Sequence, residues 1–224
     1  MKIRDAIGLS DQQQRLLVGA MRYAMFGMIT VGFYEGSAGV MINAGVGFVV
    51  TYIPALLERD YDIPMDPALV LWITLAVFLH AFGVLGLPGD VQNPYRTIWW
   101  WDHMTHTFSA SLVAGAGYVT VRGLDEHTDA VSFPPRFVFV FILLFTVAFG
   151  VFWEVIEFGI GLFAAATGSE GILTQYGIDD TMKDLLFNTL GGIVVGIWGT
   201  AHLSDISRAM SRRLDGGSEE RPER

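Results

Sequence analysis

Apolar runs long enough to cross a bilayer recur along this chain, and no soluble packing of layers could bury them all. A helix needs about 20 predominantly apolar residues to span the hydrocarbon core. Six such runs can be drawn, roughly 16–34, 38–57, 68–87, 98–121, 135–166 and 181–203. They predict an all-α polytopic membrane protein, a bundle of about six transmembrane helices. Residues 1–15 are expected as a cytoplasmic surface segment without a cleavable signal pattern, 16–206 as the transmembrane domain and 207–224 as a disordered tail. No internal repeat is visible.

Charge sets the orientation and excludes some partners. The net charge is −9, which argues against nucleic-acid binding. Cysteine is absent, so disulfides and thiolate chemistry are excluded. With both termini cytoplasmic, Lys2, Arg4, Arg15, Arg59, Arg122, Arg136 and the arginines from Arg208 onward lie inside, against Arg96 and Lys183 outside. That asymmetry predicts a cell-membrane protein with N and C termini in the cytoplasm.

Orientation then gathers the polar residues. The fourth and sixth runs enter from the outside, which places Asp102, His103 and His106, and Asp179, Asp180 and Asp184, at their outer ends. The fifth rises from Arg136, so Glu154 stands roughly 27 Å up at 1.5 Å per residue, with Glu157 above it. His80 lies about 20 Å up the third run by the same count. Helical spacing agrees with depth. Asp102 and His106 are i,i+4, with Ser109 on the same side; Glu154 and Glu157 are i,i+3; Asp180, Asp184 and Asn188 stack at intervals of four. Gly191 and Gly192 near that last face, and Gly150 and Gly161 beside the glutamates, would let helices approach closely.

Imidazoles and carboxylates so placed are a ligand set for a divalent metal held between helices. The expected ligands are Asp102, His106, Glu157, Asp180 and Asp184, with Glu154 as general base and His80, His103 and Asn188 in the surrounding polar cluster. The bland alternative stays open: histidine–carboxylate pairs also hold membrane bundles together without further chemistry. Arg22, inside the first run, reads as a side chain reaching for the interface or as a counter-ion.

The same residues carry a resemblance. Asp102-x-x-x-His106, Glu154-x-x-Glu157, then Thr174-Gln175 before Asp180-x-x-x-Asp184 resembles the motif order of the YjdF-like inner-membrane proteins. The likeness covers roughly 98–200, and the chain departs from it at Tyr176–Gly177–Ile178, where that family tends to have a Gly-Asp step. Asp184-x-x-x-Asn188-x-x-Gly191 is similar to a segment of the VanZ-like envelope proteins, which implies a cell-envelope role. The YjdF-like resemblance implies an architecture and a site, not a reaction.

Three functions fit the sequence. One is a metal-dependent enzyme on a membrane lipid or lipid-linked substrate at the outer interface, the ion activating water or polarising a phosphoryl or carbonyl oxygen. The second is a transporter or ion relay using the same acids, against which stand the missing repeat and the absence of a comparable polar trail in the inner half. The third is a structural or partner-binding membrane subunit with an inert polar cluster.

Overall fold

The computed structural model describes residues 8–86, 92–127, 132–169, 171–173, 177–203 and 206–212. All regular structure among them is helical: α1 Asp11–Glu35, α2 Ala38–Val50, α3 Ile53–Tyr61, α4 Pro67–Gly83, the short α5 Pro94–Thr97, α6 Trp101–His127, α7 Pro135–Thr167, α8 Ile178–His202 and a final turn, α9, over 206–212.

The chain is an all-α, membrane-spanning protein, but the six expected spans are not equivalent. Among the described residues, three segments are long and apolar enough to cross a membrane: Asp11–Glu35, Ala38–Tyr61 (α2 with α3) and Pro135–Thr167. Helix α4 is apolar but has only 17 residues, about 26 Å at 1.5 Å each, short of a roughly 30 Å core. Helices α6 and α8 are long enough, with 27 and 25 residues, but polar residues dilute their apolar character.

Several boundaries differ from expectation for local reasons. Helix α1 begins five residues early because Ser10 and Gln13 form a capping box, each side chain taking the other's backbone N–H, at 3.3 and 2.8 Å. The second run is broken at Thr51–Tyr52, where Pro54 in the first turn of α3 has no N–H to continue the ladder. Arg22 of α1 occupies that break. Its Nε and Nη2 donate to Thr51 Oγ1 at 3.0 Å and to the Thr51 carbonyl at 2.6 Å, and its guanidinium lies 4.4 Å from the Tyr52 ring centroid. Among the described residues its guanidinium pairs with no acid. Residues 206–212 are helical, with Ser207, Ala209 and Ser211 buried and the Ser207 hydroxyl 3.4 Å from Glu126. Residues 213–224 lie outside the described residues, as do Thr174, Gln175 and Tyr176.

Packing divides the helices into two trios. Helices α1, α2 and α4 pack together around Met25, Met28, Val40, Ala44 and Ala81. Helices α6, α7 and α8 pack around Ala114, Tyr118, Val121, Val138, Ile142 and Leu203. Contacts of α4 with α6 join the trios, and Trp72 Nε1 donates to Ser111 Oγ across that seam at 2.9 Å. The expected close approach at Gly191 is present. A Cβ there would stand 2.6 Å from the Thr107 carbonyl oxygen of α6, so glycine is what lets α8 lie against that helix. Gly150 of α7 makes room in the same way for the Asn188 side chain, 2.6 Å from where its Cβ would be. Gly161 does not: nothing lies within 4 Å of its would-be Cβ.

Candidate metal centre

The N-terminal turns of α6 and α8 and the C-terminal half of α7 meet at one end of the second trio. Close packing of α6 on α8, permitted by Gly191, brings Asp102, His106 and Asp184 together. Each can offer one ligand atom, and the three atoms lie within 4.8 Å of one another. His106 Nε2 is 3.5 Å from Asp102 Oδ1 and 3.8 Å from Asp184 Oδ1. Donors held on one ion at about 2 Å lie at most about 4 Å apart, so small adjustments would seat a cation.

Second-sphere contacts suit that role. The Asn188 side-chain oxygen lies 3.3 Å from His106 Nδ1, placed to accept a hydrogen bond from that nitrogen when it carries the ring proton. In that tautomer a neutral ring turns the Nε2 lone pair toward the two carboxylates. An imidazole lone pair facing two carboxylate oxygens is repulsive unless a proton or cation lies between them. Two carboxylates within about 5 Å repel by roughly 3 kcal/mol at an effective dielectric constant of 20. Asp184, only 1% exposed, has an Oδ1 without a hydrogen-bond partner. His103 Nδ1, 3.7 Å from the same oxygen, is likewise unpartnered. A buried carboxylate oxygen between two ring nitrogens, bonded to neither, fits an ion better than a hydrogen-bond network.

The remaining expected residues surround this trio. Glu154 and Glu157 are buried on α7. Glu157 Oε1 accepts from Trp153 Nε1 at 3.1 Å, and Glu154 Oε2 accepts from the Thr181 hydroxyl of α8 at 2.9 Å, leaving Glu154 Oε1 without a partner. Glu157 and Asp180 fall outside the 4.8 Å set, yet Asp102, Asp180, Glu154 and Glu157 all act electrostatically on Asp184. Asp179 and Lys183 are exposed. The His103 ring stacks on Phe187, with centroids 4.5 Å apart and planes at 3°. His80 belongs to a separate chain of hydrogen bonds: its Nε2 lies 3.1 Å from Asn43 Oδ1 and its Nδ1 2.7 Å from the Tyr95 hydroxyl, which is 3.2 Å from Thr105 Oγ1.

Sequence reasoning missed Asn43, Tyr95, Trp153 and Thr181. A lone asparagine in the apolar, glycine-rich second run was a usable signal for Asn43. Nothing in the sequence marked Tyr95, which arrives from α5.

The donors are nitrogen and oxygen only, which suits a borderline or hard divalent ion. The chain thus combines a buried His/Asp cluster able to coordinate a metal with an all-α membrane architecture. Comparison with known proteins agrees with that architecture. A Thermotoga maritima protein described as uncharacterized is 31% identical over 154 residues, which is 65% of this chain and 71% of the relative. No solved structure matches. A family described as "Predicted membrane protein (DUF2238)" matches residues 16–205, and the chain belongs to that family.

Proposed function

We propose that this protein is a metal-dependent membrane enzyme acting on a lipid or lipid-linked substrate at the outer membrane–water interface. The observation that carries the reading is Asp184 Oδ1, buried, unbonded and 3.7–3.8 Å from two imidazole nitrogens. Asp102, His106 and Asp184 would hold the ion, and Glu157 and Asp180 would complete its surroundings from α7 and α8. A bound divalent ion supplies a Lewis acid toward a phosphoryl or carbonyl oxygen. Asn188 keeps His106 Nε2 free to bind, and Thr181 fixes one oxygen of Glu154. The other, Glu154 Oε1, would take the proton of a water that attacks the phosphoryl or carbonyl centre as general base, and return it to the substrate oxygen whose bond to that centre breaks. Basic-residue asymmetry supports six crossings with both termini cytoplasmic, which puts this end of the bundle outside. The likeness of Asp184–Gly191 to a VanZ-like segment supports a place in the cell envelope.

Metal analysis of detergent-purified protein tests the reading. We expect near-stoichiometric divalent metal in the wild type, loss of it in Asp184→Ala, weaker retention in Glu157→Ala, and turnover on defined lipid vesicles only when the metal is present. Absence of metal from the wild type, with no uptake on titration, would sink it. One observation favours a second reading, an inert structural cluster: Glu157 and Glu154 already accept hydrogen bonds from Trp153 and Thr181. That reading predicts neither metal nor turnover.

A further inference from the structure

The two helical trios do not close against each other everywhere. Helices α2 and α7 share no extensive packing among the described residues, and between them lies a cavity of about 480 Å³. Ile42 and Val46 of α2 and Phe149, Ile156 and Ile160 of α7 line it. Ile42, Val46 and Phe149 are also 44%, 59% and 45% exposed, so they stand at a lateral opening. Both helices at that opening belong to segments apolar and long enough to cross a membrane. The opening therefore faces lipid rather than water.

The far wall is α6. Ser109 and Val113 line the cavity, and Ser109, on the same side of α6 as Asp102 and His106, is exposed into it. Ile172 and Leu173 also contribute, and the Ile172 carbonyl is tied to Asn43 Nδ2 of α2 at 3.0 Å. The lining is asymmetric. Most of it is hydrocarbon, and the polar groups His106, Asn188, His80 and Asn43 include two that belong to the metal centre. Along α7 the lining runs from Thr146 to Ile160, about 21 Å at 1.5 Å per residue. One leaflet of hydrocarbon is about 15 Å deep, half of a roughly 30 Å core.

We infer that this cavity is a slot for one hydrocarbon chain of a membrane phospholipid, entered sideways between α2 and α7, which places the lipid's polar end beside His106. An apolar, elongated cavity open to lipid fills with a chain at no desolvation cost, whereas water there would find few partners. Continuity with His106 and Asn188 makes the chain a handle: binding energy gained along the slot positions the headgroup at the ion. The inference rests on the proposed lipid-active metal centre for what happens to the headgroup, but chain binding itself is tested separately.

The probe is a phosphatidylglycerol carrying a diazirine on one acyl chain, mixed into nanodiscs of unlabelled phosphatidylglycerol around the full-length protein. After irradiation, labelled peptides are mapped by mass spectrometry. Labels are expected at Ser109 and Val113, which only a chain inside the slot reaches, as well as at Phe152 and Val155 on the exposed face of α7. Two variants fill the slot from different sides, Val46→Trp at the opening and Ser109→Phe from the floor. Each should lose the Ser109–Val113 label, keep the Phe152–Val155 label and keep the metal content of the wild type. Asp184→Asn should hold less metal than the wild type and keep the slot label. Wild-type protein labelled only on its exposed face, or slot labels that persist in both filled variants, would overturn the inference even if metal is bound. Slot labelling in a protein that never binds metal would support the slot and reject the enzyme reading.

Discussion

His106 can offer Nε2 to two carboxylates because Asn188 takes up its other nitrogen. That division of labour within one ring makes Asn188 the most informative residue to change near the site. Asn188→Leu removes the acceptor, frees the ring to rotate or change tautomer, and leaves the ligands themselves in place. Loss of such outer-sphere support typically costs about 10–100-fold in metal affinity, and calorimetric titration of detergent-purified protein should read a weakening in that range. Asp184 calls for a different measurement. An ion that binds only the folded state stabilises it by about 2.7 kcal/mol at a free concentration 100 times its Kd. Chelation should therefore lower the thermal midpoint of the wild type, and added metal should restore it. Asp184→Asn has one ligand charge fewer and less repulsion to relieve, so its midpoint should respond less to chelator. A wild-type midpoint unmoved by strong chelation would favour the inert cluster.

Helix α8 is held against α6 by the absence of a side chain at Gly191. A Cβ there would meet the Thr107 carbonyl at 2.6 Å and Ala110 Cβ at 3.0 Å, and backbone cannot yield as a flexible side-chain tip can. Gly191→Val should separate the helices, pull Asp184 away from His106, and destabilise by about 1–3 kcal/mol, the usual cost of overpacking. Gly161→Ala is the control: with nothing within 4 Å, it should be neutral or slightly stabilising, by up to about 1 kcal/mol through better helix propensity. Thermal unfolding of both, alongside metal content, checks the pair. Arg22 serves the break between α2 and α3. Arg22→Met keeps much of the aliphatic length but leaves the Thr51 carbonyl without its charged donor, at a cost of about 1.5–3 kcal/mol. Because α2 walls the slot, that variant should also blur the photolabelling at Ser109 and Val113.

At the scale of the molecule, two helical trios meet along α4 and α6, and the cluster and the slot lie at or beside that meeting. The proposed topology puts the cluster outside and both termini inside. A reporter fused after Arg224 should be active only in the cytoplasm, and one inserted between Gln92 and Asn93 only on the outer side. The opposite pattern would move the site to the cytoplasmic face and reverse which leaflet supplies the lipid.

Much of the site was legible in the linear order of residues. Asp102-x-x-x-His106 and Asp180-x-x-x-Asp184 carry their helical faces in their spacing, and hydropathy assigns both pairs the same depth, because a helix has one rise per residue and a bilayer one thickness. Long apolar runs likewise determined an all-helical membrane chain, since a backbone in lipid must satisfy its own hydrogen bonds. Tertiary structure alone decided which acids share a point. Of the five expected ligands, only Asp102, His106 and Asp184 come within 4.8 Å of one another; rotation and offset between packed helices, set here by contacts such as Gly191 on Thr107, are not encoded in spacing along either one. It also decided that Arg22 serves a broken helix and that Tyr95, from a four-residue helix, reaches His80. The slot could not be read from sequence at all, because a void is defined by helices that fail to touch, and no single helix carries that information.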